Sequence, residues 1–171
     1  GNIWWEVSDS ALVLSRGSRV DADTRRCADR GIDVVRRGSG GGPVRWSSDL
    51  LAMDVFVPRN SPLWDADIVA SYRWLGSALA DALGGEVLSA QHARRDNDRD
   101  LAALACFAGR SPGEVVVADR KLVGLSQVRR AGGLLLQVGI LVRGEGAELA
   151  QLLDLPADKT VYALRDIDRL I

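Results

Sequence analysis

Histidine is almost absent from this 171-residue chain, which has only His92, and cysteine is scarce, with Cys27 and Cys106 alone. A Ser-His-Asp triad would hang on a single imidazole. Neither a CxxC pair nor any zinc-ligand spacing is present. Lysine is nearly missing too: apart from Lys121 and Lys159, every basic residue is arginine. No apolar run is long enough to span a bilayer and no secretory leader is visible, so a cytoplasmic location is the expectation. The formal net charge is −1. No global field draws in nucleic acid or an anionic membrane, and neither is an expected partner.

What remains is an ordinary globular mixture. Apolar residues make up 47% and charged residues 26%, enough to build one core from one domain. No repeat or low-complexity linker divides the chain. Ile3–Val7 and Ala11–Leu14 read as strands. Asp21 is the predicted N-cap of a short helix over Ala22–Arg30 that stops at Gly31. Ile32–Val35 reads as a short buried strand, and Leu50–Val57 as another. A longer helix is predicted from about Pro62 to Gly84, with Ile68, Tyr72, Leu75, Leu79 and Leu83 on one buried face. Arg94–Asp100 is a charged run, read as a solvated loop or helix start, and Leu101–Ala105 is a short apolar patch. Strands are predicted at Glu114–Val117, Leu122–Val128 and Leu134–Val142, with turns at Asp119-Arg120 and Ala131–Gly133. A last helix covers Ala147–Leu153. The order implies an α+β domain with a mixed, largely antiparallel sheet flanked by helices.

Two segments carry chemistry. Arg36-Arg37-Gly38-Ser39-Gly40-Gly41-Gly42 lies between two predicted strands. Glycines allow backbone amides to approach a ligand closely, successive amides can cradle an anion, and Arg36 or Arg37 would add charge-assisted hydrogen bonds. Strand rather than helix follows and no Gly-Lys-Ser/Thr ends the run, so it is neither a Walker loop nor a dinucleotide fingerprint. On the residues alone it is either an anion site or a flexible hairpin loop. The second segment runs from Cys106 to Leu141 and contains Arg120-Lys121-Leu122-Val123-Gly124-Leu125-Ser126-Gln127. A lysine here could be an exposed turn residue or a fixed catalytic cation. Cys106 could be a small core residue or a nucleophile.

Both segments resemble the biotin/lipoate protein ligase family. Val34–Val44 is similar to the family's strand followed by RRxSGGG. Cys106-Phe107, Glu114–Val117 and Lys121–Gln127 are similar to its CF…(D/E)(I/L)VV…K(I/V)(A/S)GSAQ pattern. The resemblance covers about residues 11–142. It implies a class II synthetase-like catalytic domain over residues 1–171, truncated at its N-terminal end relative to the family. Trp46 and Val138 stand where the family carries histidines.

The resemblance implies two reaction types. A lipoate-protein ligase would use ATP and Mg²⁺ to make an acyl-adenylate of lipoate or octanoate. Arg36, Arg37 and Gly38–Gly42, with Gly124 and Ser126, would hold that substrate, and Lys121 would stabilise the developing charge. An octanoyltransferase would need no cofactor and would pass the acyl group through a Cys106 thioester, with Lys121 as a candidate cation for its thiolate. Gly42 looks ligase-like, because the cysteine transferases tend to have arginine there. The primary expectation is therefore the ligase. A non-catalytic acyl- or nucleotide-binding member is the third possibility. A lipoyl carrier domain or acyl carrier protein is the implied partner, together with a possible accessory subunit. Arg129-Arg130 would form a hairpin tip, either solvated or meeting an acidic carrier. Cys27 and His92 are expected to have structural and surface positions. The tryptophans are expected as core or edge aromatics, with one available to wall an acyl tunnel.

Overall fold

The computed structural model describes residues 1–95, 99–144 and 146–156. In chain order the elements are β1 (Asn2–Trp5), β2 (Ala11–Ser15), α1 (Thr24–Asp29), β3 (Asp33–Arg37), β4 (Val44–Trp46), β5 (Leu50–Pro58) and α2 (Ala70–Leu83). They continue with β6 (Glu86–Val87), α3 (Ala90–Arg95), α4 (Arg99–Leu104), β7 (Val115–Val117), β8 (Arg120–Arg130), β9 (Gly133–Leu141) and α5 (Gly146–Leu152). The charged run thus becomes the ends of two short helices around residues 96–98. Those three residues and Lys159 lie outside the described set.

The strands form two sheets where one was expected. Six of them, in the order β1-β5-β9-β8-β7-β6, make a fully antiparallel sheet. The other three, ordered β3-β2-β4, make a small mixed sheet in which only β2 and β3 run parallel. The α+β class and the predominance of antiparallel pairing are as expected. β4 was not foreseen, being only three residues long and flanked by the glycine loop.

Alternation along the strands divides the molecule into two cores. On β9, Leu134, Leu136, Val138 and Ile140 turn to one face. They meet Met53 and Val57 of β5, Val123 and Leu125 of β8, and Leu75 and Leu79 of α2. The second core packs Leu12 and Leu14 of β2 against Cys27, Leu101, Leu104, Phe107, Leu149 and Leu152. Between the two sheets, the opposite faces of β2, β8 and β9 are left to line a cavity.

Several local expectations shift. Helix α1 is capped by Asp23, whose Oδ1 accepts from the Arg26 amide at 2.9 Å. Asp21 instead pairs with Arg36. Helix α2 begins at Ala70 rather than near Pro62, because Asp65 and Asp67 capture the amides of Asp67, Val69 and Ala70 at 2.7–2.8 Å and hold the chain in turns. Ile68 and Leu83 accordingly lie exposed, and only the middle of the predicted stripe is buried. Strand β3 is an exposed edge, not a buried strand. Arg129 is not free at a hairpin tip: its guanidinium donates to the carbonyls of Asp65, Ala66 and Asp67 and to Ser71 Oγ. Trp4 and Trp5 lie on the edge strand β1 and are about half exposed. His92 sits on the exposed side of α3.

Candidate active site

The intersheet cavity has a volume of about 350 Å³ and mostly apolar walls. Its construction follows from strand period. Ala11 and Val13 of β2, Val35 and Arg37 of β3, and Val44 and Trp46 of β4 point into it from the small sheet. Gly124 and Ser126 of β8 sit opposite Gly139 and Gln137 of β9, and this row forms the other wall. Phe107 lies over the glycine pair: a Cβ added to Gly139 would come within 3.3 Å of its ring. Cys106 completes the lining. A more open depression of about 550 Å³ lies beyond the ends of β7, β8 and β9. Of the predicted site residues it touches only Lys121, whose side chain is turned inward, so the intersheet cavity is the candidate site.

The adjacent arginines of the glycine segment are separated by alternation. Arg36 turns outward to Asp21 and takes no part in the cavity. Arg37 turns inward, and its Nη2 donates to the carbonyls of Gly40 and Gly42 at 2.8 and 2.9 Å and lies 4.0 Å from Cys106 Sγ. The loop is therefore closed on its own arginine through its carbonyls. Ser39 is buried and its hydroxyl meets that of Ser126 at 3.3 Å. Gly38 and Gly40 border open space.

Two of the glycines are required by close approach. Gly41 has φ +102°, and a Cβ there would come within 2.9 Å of Arg37 Nη2 and 3.4 Å of Cys106 Sγ. A Cβ on Gly42 would lie 2.5 Å from the Ala102 carbonyl oxygen and 2.8 Å from the Cys106 amide nitrogen. That amide donates to the Pro43 carbonyl at 2.9 Å. The glycine run thus seats the Cys106 segment against β4.

Lys121 approaches Cys106 from the other side. It is 3% exposed. Its Nζ lies 2.7 Å from Glu114 Oε1 and donates to the backbone carbonyls of Cys106 at 2.7 Å and Gly109 at 2.8 Å. An ammonium has three N–H donors, and these three acceptors occupy them. Glu114 is equally buried and also accepts from the amides of Ser111 at 2.7 Å and Leu125 at 3.3 Å. Glu114 was not singled out from the sequence, where it reads as the first residue of an apolar strand. The available signal was an acidic residue seven positions before the one lysine of the motif.

Of the expected site residues, Arg37, Gly41, Gly42 and Lys121 meet Cys106, Gly124 and Ser126 line the same cavity with Ser39 bonded to Ser126, and Arg36 stands apart. Of the two positions where the family carries histidine, both Trp46 and Val138 line the cavity, and Val138 also belongs to the core beneath α2. Cys27 is buried with its Sγ 3.7 Å from the Leu152 carbonyl. Burial, and next the Asp23 carboxylate, raise its thiol pKa. Among the described residues no group of three or more His, Cys, Asp or Glu is placed to hold a metal ion, and no helix is long and apolar enough to cross a membrane.

Two sheets enclosing an apolar cleft, with a cysteine, an arginine and a glycine loop at its edge, make an α+β domain with a candidate active site. The chain belongs to the lipoyl protein ligase A/B catalytic domain family, whose model matches residues 5–169. It is 32% identical to an octanoyltransferase LipM of Kyrpidia tusciae over 94% of its length and 60% of that protein's. It is 30% identical to the LipM of Moorella thermoacetica over 90% of its length and 57% of that protein's. The chain thus spans little more than half of these relatives. Among solved structures, the fold is similar to a bipartite lipoate protein ligase of Thermoplasma acidophilum, with TM-score 0.69, 19% identity and coverage of 96% of this chain and 59% of that one. It is also similar to a lipoate-protein ligase A bound with ATP, with TM-score 0.65, 18% identity and coverage of 99% and 71%.

Proposed function

We propose that this domain transfers an octanoyl-type acyl group through a thioester on Cys106, without ATP. The observation that carries the reading is the position of Cys106: its residue lines the apolar cavity, its amide donates to the Pro43 carbonyl and its carbonyl accepts from the Lys121 ammonium. The relatives of Kyrpidia tusciae and Moorella thermoacetica, at 32% and 30% identity, are octanoyltransferases. The ligase neighbours fall below 20% identity and support the fold alone. The ligase, first expected on the strength of Gly42, thereby becomes the second reading. In this structure Gly42 is accounted for by packing against the Cys106 segment.

The chemistry divides into two balanced steps. Cys106 Sγ attacks the carbonyl carbon of an acyl-carrier thioester. The new C–S bond forms, the carrier sulfur leaves, and it takes up the proton lost by the cysteine. A lysine amine of an acceptor carrier domain then attacks the Cys106 thioester. An amide forms, and the thiol of Cys106 is regenerated by the proton the amine loses. The acyl chain occupies the cavity. At about 30 Å³ per methylene-sized group, water's share of liquid volume, eight carbons need roughly 240 Å³, which the 350 Å³ cavity holds. Lys121 fixes the Cys106 and Gly109 carbonyls and, through them, the nucleophile's backbone.

The test is an ATP-free transfer assay with octanoyl-carrier thioester and a lipoyl domain. The expected result is amide formation that is lost in Cys106→Ala. Octanoate- or lipoate-dependent pyrophosphate exchange in both wild type and Cys106→Ala would instead establish the ligase.

A further inference from the structure

Resting on the thioester reading above, we infer that Arg37 is the catalytic cation of this site: its guanidinium receives the oxyanion that forms when the acyl carbonyl is attacked by Cys106. Attack converts a carbonyl oxygen into an alkoxide, and a fixed donor aimed at that oxygen lowers the barrier. The two candidate cations are Lys121 and Arg37, and their surroundings differ. Lys121 has its three N–H donors taken by Glu114 and two backbone carbonyls, and its charge is offset by a carboxylate at 2.7 Å. It is buried beside Cys106 and is not part of the cavity wall.

Arg37 is part of that wall. Its Nη2 is locked by the Gly40 and Gly42 carbonyls and stands 4.0 Å from Cys106 Sγ. It has no acidic partner among the described ion pairs. Its Nε is sealed from water without a hydrogen-bond partner, and its Nη1 donates to no described residue. The two N–H donors of Nη2 are taken by those carbonyls and Nε is sealed, so the donor left for the oxyanion is Nη1 of the same guanidinium. The oxygen of an acyl group bonded to Sγ is two bonds from that sulfur, within reach of a guanidinium whose Nη2 lies 4.0 Å from it. A rigid, uncompensated cation with donor capacity left over, beside the nucleophile, suits a charge that appears only in the transition state.

The inference is tested with p-nitrophenyl octanoate as acyl donor. The burst of nitrophenolate and the mass adduct on Cys106 are followed in wild type, Arg37→Gln, Arg37→Lys and Cys106→Ala. The rate of Cys106 alkylation by iodoacetamide, which forms no oxyanion, is measured on the same proteins. The expected result is an acylation rate about 10²–10³-fold lower in Arg37→Gln, the usual effect of losing one oxyanion donor. Alkylation should stay within about 3-fold, and Arg37→Lys should recover part of the acylation loss. Acylation by Arg37→Gln within about 5-fold of wild type overturns the assignment while leaving the thioester reading intact. Acylation and alkylation falling in parallel also overturns it, because Arg37 would then act on the sulfur or its packing. A wild type without a Cys106-dependent burst overturns the thioester reading itself, and this assignment with it.

Discussion

Breaking the Glu114–Lys121 pair should damage stability more than any surface change, and in a non-additive way. Both side chains are 3% exposed or less and meet at 2.7 Å. Lys121→Met leaves a carboxylate in the core whose remaining partners are the Ser111 and Leu125 amides. Glu114→Gln leaves an ammonium facing an amide and two carbonyls. Removing one partner of a buried ion pair costs about 3–5 kcal/mol. For a chain of this size that lowers the melting temperature by roughly 6–20 °C. The double variant Glu114→Gln/Lys121→Met buries no charge, so it should cost about 2 kcal/mol or more less than the sum of the singles. Urea denaturation of the four proteins gives the cycle directly. Costs that add within about 0.5 kcal/mol would show that the two charges are not coupled, and the anchor assigned to the Cys106 loop would be wrong.

Gly42→Ala should disable acyl transfer at a stability cost of only about 1–3 kcal/mol. The added Cβ meets backbone of the Cys106 segment, which must move; a fully active variant would exclude this seating role. Native protein treated with iodoacetamide at mildly alkaline pH should take up one label, on Cys106. Cys27 is buried and its thiol pKa is raised, so it stays protonated and shielded; peptide mapping that finds Cys27 labelled first would refute this. Asp67 has its carboxyl pKa lowered by the amides of Ala70 and then Val69 at the start of α2. A lowered folded pKa means stabilisation present above the unfolded value near 3.9 and lost as pH falls through the folded one. The melting-temperature deficit of Asp67→Asn should therefore be full at pH 7 and shrink below pH 4. A deficit independent of pH would contradict the role of the charged form.

The sequence reveals this fold unevenly, for physical reasons. Period-2 alternation marks β8 and β9, because each buries one row beneath α2 and turns the other to the cavity. The same alternation places Arg37 inside and Arg36 outside, but only once the register of β3 with β2 is known. The start of α2 is not legible in the sequence, because apolar spacing from Ile68 onward looks helical while Asp65 and Asp67 compete for the same amides. The division into two sheets depends on pairings over long sequence separations. The motif around Lys121 was legible as a pattern. Its burial was not, because that depends on Glu114 folding back across the β7–β8 hairpin. The glycine loop reads in the sequence as either an anion site or a flexible hairpin loop, and in the fold the carbonyls of Gly40 and Gly42 are satisfied by Arg37.

A covalent acyl group on Cys106 would be seen by intact-protein mass spectrometry after incubation with octanoyl-carrier thioester, with no ATP present. A single octanoyl adduct that maps to Cys106, is released by hydroxylamine, and is absent from Cys106→Ala is expected. No adduct on the wild-type protein, or one that persists in Cys106→Ala, would contradict the thioester on Cys106.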